Sequence, residues 1–167
     1  AAQGLLHPAL EAEAVGHAIV QASHLMAKVH HRAYHDPLTE LGNRALFYEL
    51  VQHQLAIAER EHGKLSILAI DLDNFKVVND EEGHAAGDRL LEAVARRLEK
   101  IIRASDAAAR MGGDEFSILL VDADQASAIE TAQRLVAELA KPYEGIATRV
   151  SASIGIAVYP AAGRDLG

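Results

Sequence analysis

An α+β domain, a sheet flanked by helices, is predicted by three features of the sequence. Residues 65–70 form a short, nearly continuous apolar run, as in a strand covered on both faces, which ends abruptly in Asp71-Leu72-Asp73. Residues 107–111 and 116–121 are apolar segments separated by Gly112-Gly113, a pair that accepts positive φ at both central positions of a tight hairpin turn. Residues 148–158 alternate strictly, with Val150, Ala152, Ile154, Ile156 and Val158 on one face. Helical periodicity fills the intervals, giving the order helix, strand, helix, hairpin, helix, strand and a mostly antiparallel sheet.

Residues 1–35 differ in character and are expected to form a separate N-terminal helix. Val15, Ile19, Ala22, Met26, Val29 and Ala33 are spaced as a heptad seam over nearly three repeats. Two readings compete for it, a helix packed on its own domain and a parallel dimerising stalk that relays a signal; the stalk is preferred. His17, His24 and His31 recur every seven residues on the face opposite the seam, two turns apart, and read as solvated side chains. Only His31 and His35 have helical metal-pair spacing, and Asp36-Pro37 is expected to end the helix there.

Residues 36–167 are the second expected domain. A loop carries Asp36-Pro37-Leu38-Thr39, and a helix capped near Asn43 follows, with Leu46, Phe47, Leu50, Val51, Leu55 and Ala58 on its apolar face and Gly63 as its stop. Residues 74–82 read as a short helix or turn and 83–87 as a small-residue loop. A second helix presents Leu90, Leu91, Val94, Leu98, Ile101 and Ile102, and a third, over about 126–140, is closed by Pro142.

The formal charge of −8 argues against non-specific nucleic-acid binding. An anionic substrate would have to be received by local devices such as a metal ion, Lys76 or backbone N–H groups. There are no cysteines, which excludes disulfides and suits a cytoplasmic protein. No apolar run approaches membrane-spanning length, and the chain begins with Ala, as expected of a piece of something longer.

If the strand over 65–71 neighbours the Gly-Gly hairpin, Asp71 and Asp114 converge although they are distant in sequence. Converging carboxylates at strand ends make a hard-oxygen site suited to Mg²⁺. Gly112-Gly113-Asp114-Glu115-Phe116 spells the GGDEF signature, and the chain resembles the GGDEF diguanylate cyclases. Asp36-Pro37-Leu38-Thr39, Gly42-Asn43-Arg44, Asp71-Leu72-Asp73-Asn74-Phe75-Lys76, Asn79-Asp80 and Gly83-His84-Ala85-Ala86-Gly87-Asp88 match that pattern in order. The resemblance covers roughly residues 33–160.

The resemblance implies a ferredoxin-like nucleotidyl-cyclase fold and a homodimer that condenses two GTP into cyclic di-GMP. It implies catalytic Asp71, Asp114 and Glu115, with Mg²⁺ or Mn²⁺ on Asp71, Asp114 and the Leu72 carbonyl. Glu115 would bind metal or help deprotonate the 3′-hydroxyl. Substrate contacts are implied at Phe75, Lys76, Asn79, Asp88, Gly112 and Gly113, with Asn79 and Asp88 reading guanine; on spacing alone Asp88 is also a good helix N-cap. Asp73 reads as a solvated or capping carboxylate.

Arg103-Ala104-Ser105-Asp106 matches the RxxD of the family's product-inhibition site, with Arg134 as a further arginine; both Arg103 and Asp106 are expected to be exposed. An i, i+3 surface ion pair is the plain alternative. Two departures stand out. The family pattern continues past the last strand into a helix with basic residues, which this sequence lacks, so catalysis by this length of chain is left open. Glu40 replaces a common glycine and reads as harmless. A rival function is a non-catalytic receptor for cyclic di-GMP; a mixed-purine cyclase is opposed by Asp88.

Overall fold

The computed structural model describes residues 8–161. Its elements are α1 (Pro8–Tyr34), α2 (Arg44–Glu61), β1 (Leu65–Asp73), α3 (Phe75–Glu82), α4 (His84–Ile101), β2 (Ala107–Gly112), β3 (Glu115–Val121), α5 (Gln125–Leu139) and β4 (Ser151–Tyr159). The chain divides into two units, Ala1–Ala33 and Tyr34–Gly167.

In the first unit the heptad seam of α1 is an exposed stripe, with Ile19 61% and Met26 73% accessible. His17 and His24 are exposed as well, and His17 Nε2 lies 3.0 Å from Gln21 Nε2. The helix ends at Tyr34, so His31 and His35 do not share it as an i, i+4 pair. No described helix is long and apolar enough to cross a membrane.

The second unit is built on a four-stranded sheet of order β2-β3-β1-β4, antiparallel at every pairing. With α3 and α4 between β1 and β2, and α5 between β3 and β4, this is the ferredoxin-like arrangement. Alternation along β1 sends Leu68, Ile70 and Leu72 to the face where α4 and α5 pack, joined there by Phe116 and Ile118. Each fully buried side chain of that size contributes roughly 1.5–3 kcal/mol. The opposite face carries Leu65, Ile67, Ala69, Asp71 and Asp73. There α2 buries Phe47 and Ala58 with Leu65 and Leu119. It covers only the start of β1, leaving Ala69 and Asp71 exposed, so the expectation of a strand covered on both faces holds for its first half alone.

Several boundaries differ from those expected. Asn43 caps α2 by accepting a 3.0 Å hydrogen bond from the Leu46 N–H, as predicted, but the left-handed terminator is His62 (φ 52°), one residue before Gly63. α4 begins at His84, so most of the expected 83–87 loop is helical. Gly83 (φ 91°) supplies the whole bend between α3 and α4, and Ala85 and Ala86 favour helix from there. α5 starts at Gln125 because the Asp124 carboxylate accepts from the Ser127 N–H at 2.9 Å. Arg97 ties α4 to the end of α5, donating to the carbonyls of Glu138, Lys141 and Pro142 while lying 3.7 Å from the Tyr143 ring centroid.

Residues 35–43 shield the β2 edge of the sheet, the Arg110 N–H donating to the Gly42 carbonyl at 2.9 Å. Asp36 closes this loop, accepting from the Thr39 N–H and Oγ1 and, through its carbonyl, from the Glu40 N–H. The closure forces Glu40 to φ 62°, where a Cβ is unfavourable, so the glutamate is not harmless as the sequence suggested. Glu40→Gly is expected to raise the unfolding free energy by about 1 kcal/mol, the αL penalty less the added freedom of the unfolded chain. Urea denaturation of the two proteins checks it; a less stable variant would show that the Glu40 side chain outweighs its strain.

Candidate active site

Gly112 pairs with Glu115, so the turn between β2 and β3 consists of Gly113 and Asp114. A register shift between Arg110 and Gly112 absorbs Met111 and moves the turn one residue beyond the expected position. Both glycines still have positive φ, 150° at Gly112 and 52° at Gly113. Arg110 stiffens the turn from behind: its Nε donates to the Gly113 carbonyl at 3.0 Å and its Nη1 meets Asp36 Oδ1 at 3.2 Å. Burial pushes the Asp36 carboxyl upward, but the Thr39 hydrogen bonds and the Arg110 charge outweigh it and hold the carboxyl below the usual range.

Asp71 lies opposite Glu115 in the β1–β3 ladder, and the Leu72 N–H donates to the Asp114 carbonyl at 3.2 Å. Asp71, Asp114 and Glu115 are thereby brought to one end of the sheet, on the half-face that α2 leaves open. The Leu72 side chain is buried in the core, so only its backbone is available there. Asp73, read from sequence as solvated or capping, instead accepts from Ser151 Oγ at 2.9 Å and Ser153 Oγ at 3.1 Å. Desolvation, the charges of Asp114 and Asp73, and a hydrogen bond with Asp114 together push the Asp71 carboxyl above its ordinary value, against the Leu72 N–H. Asp71 and Glu115 also line a cleft of about 330 Å³ with Arg44, Tyr48 and Met111. Neither Arg44 nor Tyr48 is among the expected site residues; Arg44 carries a sequence signal in the Gly42-Asn43-Arg44 match, whereas Tyr48 has only its i, i+4 spacing from Arg44 on α2.

Of the expected substrate contacts, Phe75 and Lys76 open α3, Asn79 and Asp88 lie at the α3–α4 junction, and Gly112 and Gly113 lie apart from these in sequence at the β2–β3 turn. Lys76 is exposed on the first turn of α3, whereas the Phe75 side chain packs partly into the core. The α3 N-terminus has no side-chain cap: Asn74 there is left-handed (φ 69°) and not extended as a cap requires, and its Nδ2 donates to the Arg149 carbonyl. Asn79 sits over Gly87, with Asp88 the next residue. Asp88 is not the N-cap of α4, which is Gly83, and its exposed carboxylate has no hydrogen-bond or ion-pair partner among the described residues.

A separate cavity of about 210 Å³ brings Arg103, Asp106 and Arg134 together with Asp122 and Glu130. Asp106 is not exposed as expected: its side chain is 2% accessible against 60% for Arg103. It accepts from the backbone N–H groups of Arg103 and Val121 and from the Arg103 guanidinium. Arg103 Nη2 also donates to the Val121 carbonyl at 2.6 Å. The RxxD segment is therefore both an ion pair and a backbone brace, because its loop must turn from α4 into β2.

The family model for the diguanylate cyclase GGDEF domain matches residues 33–167. This chain belongs to the GGDEF family. It is 43% identical over 134 residues to the bifunctional diguanylate cyclase/cyclic di-GMP phosphodiesterase MucR of Pseudomonas aeruginosa, covering 79% of this chain and 20% of that protein. It is 42% identical over 138 residues to the diguanylate cyclase TpbB of the same species, covering 80% of this chain and 32% of TpbB. The chain thus spans a third or less of these relatives. Among solved structures, the TpbB GGDEF domain superposes with a TM-score of 0.72 at 41% identity, over 76% of each chain. The coiled coil and GGDEF domain of DgcB from Caulobacter crescentus, in complex with cyclic di-GMP, superposes with a TM-score of 0.80 at 26% identity, over 90% of this chain and 81% of that one.

The donor set fits a hard divalent cation. Burial and then the charges of Asp114 and Asp73 raise the Asp71 carboxyl, and a cation between the carboxylates would relieve the repulsive part. Among the described residues no group of three or more His, Cys, Asp or Glu is arranged to hold an ion; Mg²⁺ ordinarily binds through one or two carboxylates and keeps several waters. Because the Asp71 pKa is raised on folding, its contribution to stability is present below the ordinary aspartate value and lost as pH rises through the raised one. Asp71→Asn is therefore expected to melt at or above the wild-type temperature at pH 7 without divalent ions. Mg²⁺ should raise the melting temperature of the wild type alone. Scanning calorimetry with and without Mg²⁺ checks both, and equal Mg²⁺ stabilisation of the two proteins would remove Asp71 from the site.

Proposed function

We propose that the Tyr34–Gly167 unit is the cyclase module of a protein that condenses two GTP into cyclic di-GMP and two pyrophosphates. The observation that carries this reading is the convergence of Asp71, Asp114 and Glu115 on the open half-face, with Asp71 raised by burial and by neighbouring charge. The names of MucR and TpbB support it. In each half-reaction the 3′-oxygen of one nucleotide bonds to the α-phosphorus of the other. The bond from that phosphorus to the bridging oxygen breaks, and pyrophosphate leaves with the electron pair.

Asp71, Asp114 and the Leu72 carbonyl would hold Mg²⁺ or Mn²⁺, which supplies neutralisation of the charge that builds on the phosphoryl oxygens. Glu115 is positioned either to share that duty or to take the 3′-hydroxyl proton. Lys76 offers a cation to the phosphates. Asn79 and Asp88 read the guanine, the carboxylate accepting from N1–H and the exocyclic amine. That both heads lack partners supports this role over a structural one. GTP as substrate places the module in the cytoplasm.

One such site holds one GTP, so two must face each other and the working form is a homodimer. The exposed seam of α1 is the pairing surface that this reading assigns, and DgcB supports it by carrying a coiled coil beside its GGDEF domain. Incubation of the full-length protein with GTP and Mg²⁺ is expected to yield cyclic di-GMP by mass spectrometry, at a rate steeper than linear in protein concentration. Ile19→Asp with Met26→Asp should shift sedimentation toward monomer and lower that rate, through unpaired charge in an apolar seam. No cyclic product from a folded, GTP-binding protein would rule out the cyclase.

Arg103 and Arg134 are assigned to a product-binding inhibitory pocket, which a non-catalytic receptor would use alone. Asp106 contributes there by holding Arg103; accepting from guanine requires it to give up part of that brace. Arg103→Ala is expected to weaken cyclic di-GMP binding by roughly 2–4 kcal/mol in calorimetric titration, with no need for Mg²⁺. Equal affinities would reduce Arg103 and Asp106 to the backbone brace.

A further inference from the structure

We infer that Gly87 is a positioning residue for base recognition: its bare Cα is the seat of the Asn79 carboxamide. The inference rests on the reading of Asn79 and Asp88 as guanine contacts. Gly87 is buried where the first turn of α4 closes, its N–H donating to the Gly83 carbonyl at 3.2 Å, and it is not among the positive-φ residues, so the backbone does not require glycine. By propensity it is unfavourable, since glycine in a helix interior costs about 1 kcal/mol relative to alanine. What requires it is space. A Cβ at Gly87 would lie 1.9 Å from Asn79 Oδ1 and 3.0 Å from Asn79 Cγ, and its third neighbour within 4 Å is Asn79 Nδ2 at 3.5 Å. The closest atoms such a methyl would meet all belong to that one carboxamide.

The seated amide is otherwise unengaged. The Asn79 backbone carbonyl accepts from the Gly83 N–H at 3.1 Å, but its side chain has no hydrogen-bond partner among the described residues. The residue that follows the seat is Asp88, exposed and equally unpartnered. A donor–acceptor amide and a free carboxylate thus stand on the two helices that meet at this junction, and guanine presents matching donors and acceptors. A methyl at position 87 would expel the amide and leave the carboxylate where it is. Base discrimination should fall while metal binding and the Arg103 pocket stay unchanged.

The test uses the full-length protein with 3′-deoxy-GTP and 3′-deoxy-ATP, which bind but lack the attacking oxygen. Gly87→Ala and Asn79→Ala are each expected to lower the affinity ratio of the two probes by roughly tenfold. The double variant should be no worse than Asn79→Ala, because alanine at 79 vacates the space that the methyl needs. It should also melt at or above Asn79→Ala, since alanine replaces a helical glycine. If Gly87→Ala alone does not fold, a folded double variant that behaves as Asn79→Ala carries the same proof.

Gly87→Ala with wild-type discrimination, beside a defective Asn79→Ala, overturns the seat and leaves the guanine reading standing. Asn79→Ala with wild-type discrimination overturns both. Additive losses in the double variant, or its failure to fold, mean that Gly87 acts through something other than Asn79 and also overturn the proposal.

Discussion

Slipping β1 by one residue against β3 would turn Asp71 into the core and bring Ile70 out onto the open half-face, because side chains alternate with a period of two. The site therefore depends on a register that the apolar residues enforce. Leu68, Ile70 and Leu72 must meet Phe116 and Ile118 beneath α4 and α5. The carboxylates between them are carried to the other side as a consequence. α2 completes the arrangement: it buries the Leu65 end of β1 and leaves the Asp71 end to solvent.

The same geometry concentrates negative charge where the chain is already acidic overall. Asp114 and Asp73 lie close enough to Asp71 to add to the burial that raises its carboxyl, and two serine hydroxyls from β4 hold Asp73 in place. Arginines near this cluster serve the backbone and do not neutralise it. Arg110 is committed to Asp36 and the Gly113 carbonyl, and Arg44 Nη2 is directed at the Met111 carbonyl at 3.4 Å. The protein thus keeps its acidic end stiff and uncompensated, a combination that favours an external cation over an internal salt bridge.

Much of this was legible in the sequence because it is written in local chemistry. The apolar run before Asp71, the glycine pair with positive φ, the Asn43 cap and the alternation of the last strand each follow from a rule that operates within ten residues. The parts that were not legible depend on partners far along the chain. Asp73 looks solvated until Ser151 and Ser153 are brought beside it, and Asp106 looks exposed until the Val121 N–H arrives. The start of α4 was missed because a glycine in a small-residue stretch reads as loop, whereas Gly87 is helical and makes room for another helix's side chain. The Glu40 strain is set by loop closure on Asp36, which no propensity at position 40 reveals.

The burial of Asp106 has a thermodynamic side. A free arginine loses rotamer entropy when it is immobilised by a ligand, at about 0.5–1.5 kcal/mol for a flexible interfacial side chain. Arg103 has already lost most of that freedom, since both Asp106 oxygens and the Val121 carbonyl hold its guanidinium while much of its surface stays open. A ligand entering this pocket meets a pre-set fork, and folding has borne the ordering cost in advance. Association there is expected to be enthalpy-led, with a smaller ordering penalty than an arginine on a mobile loop would impose.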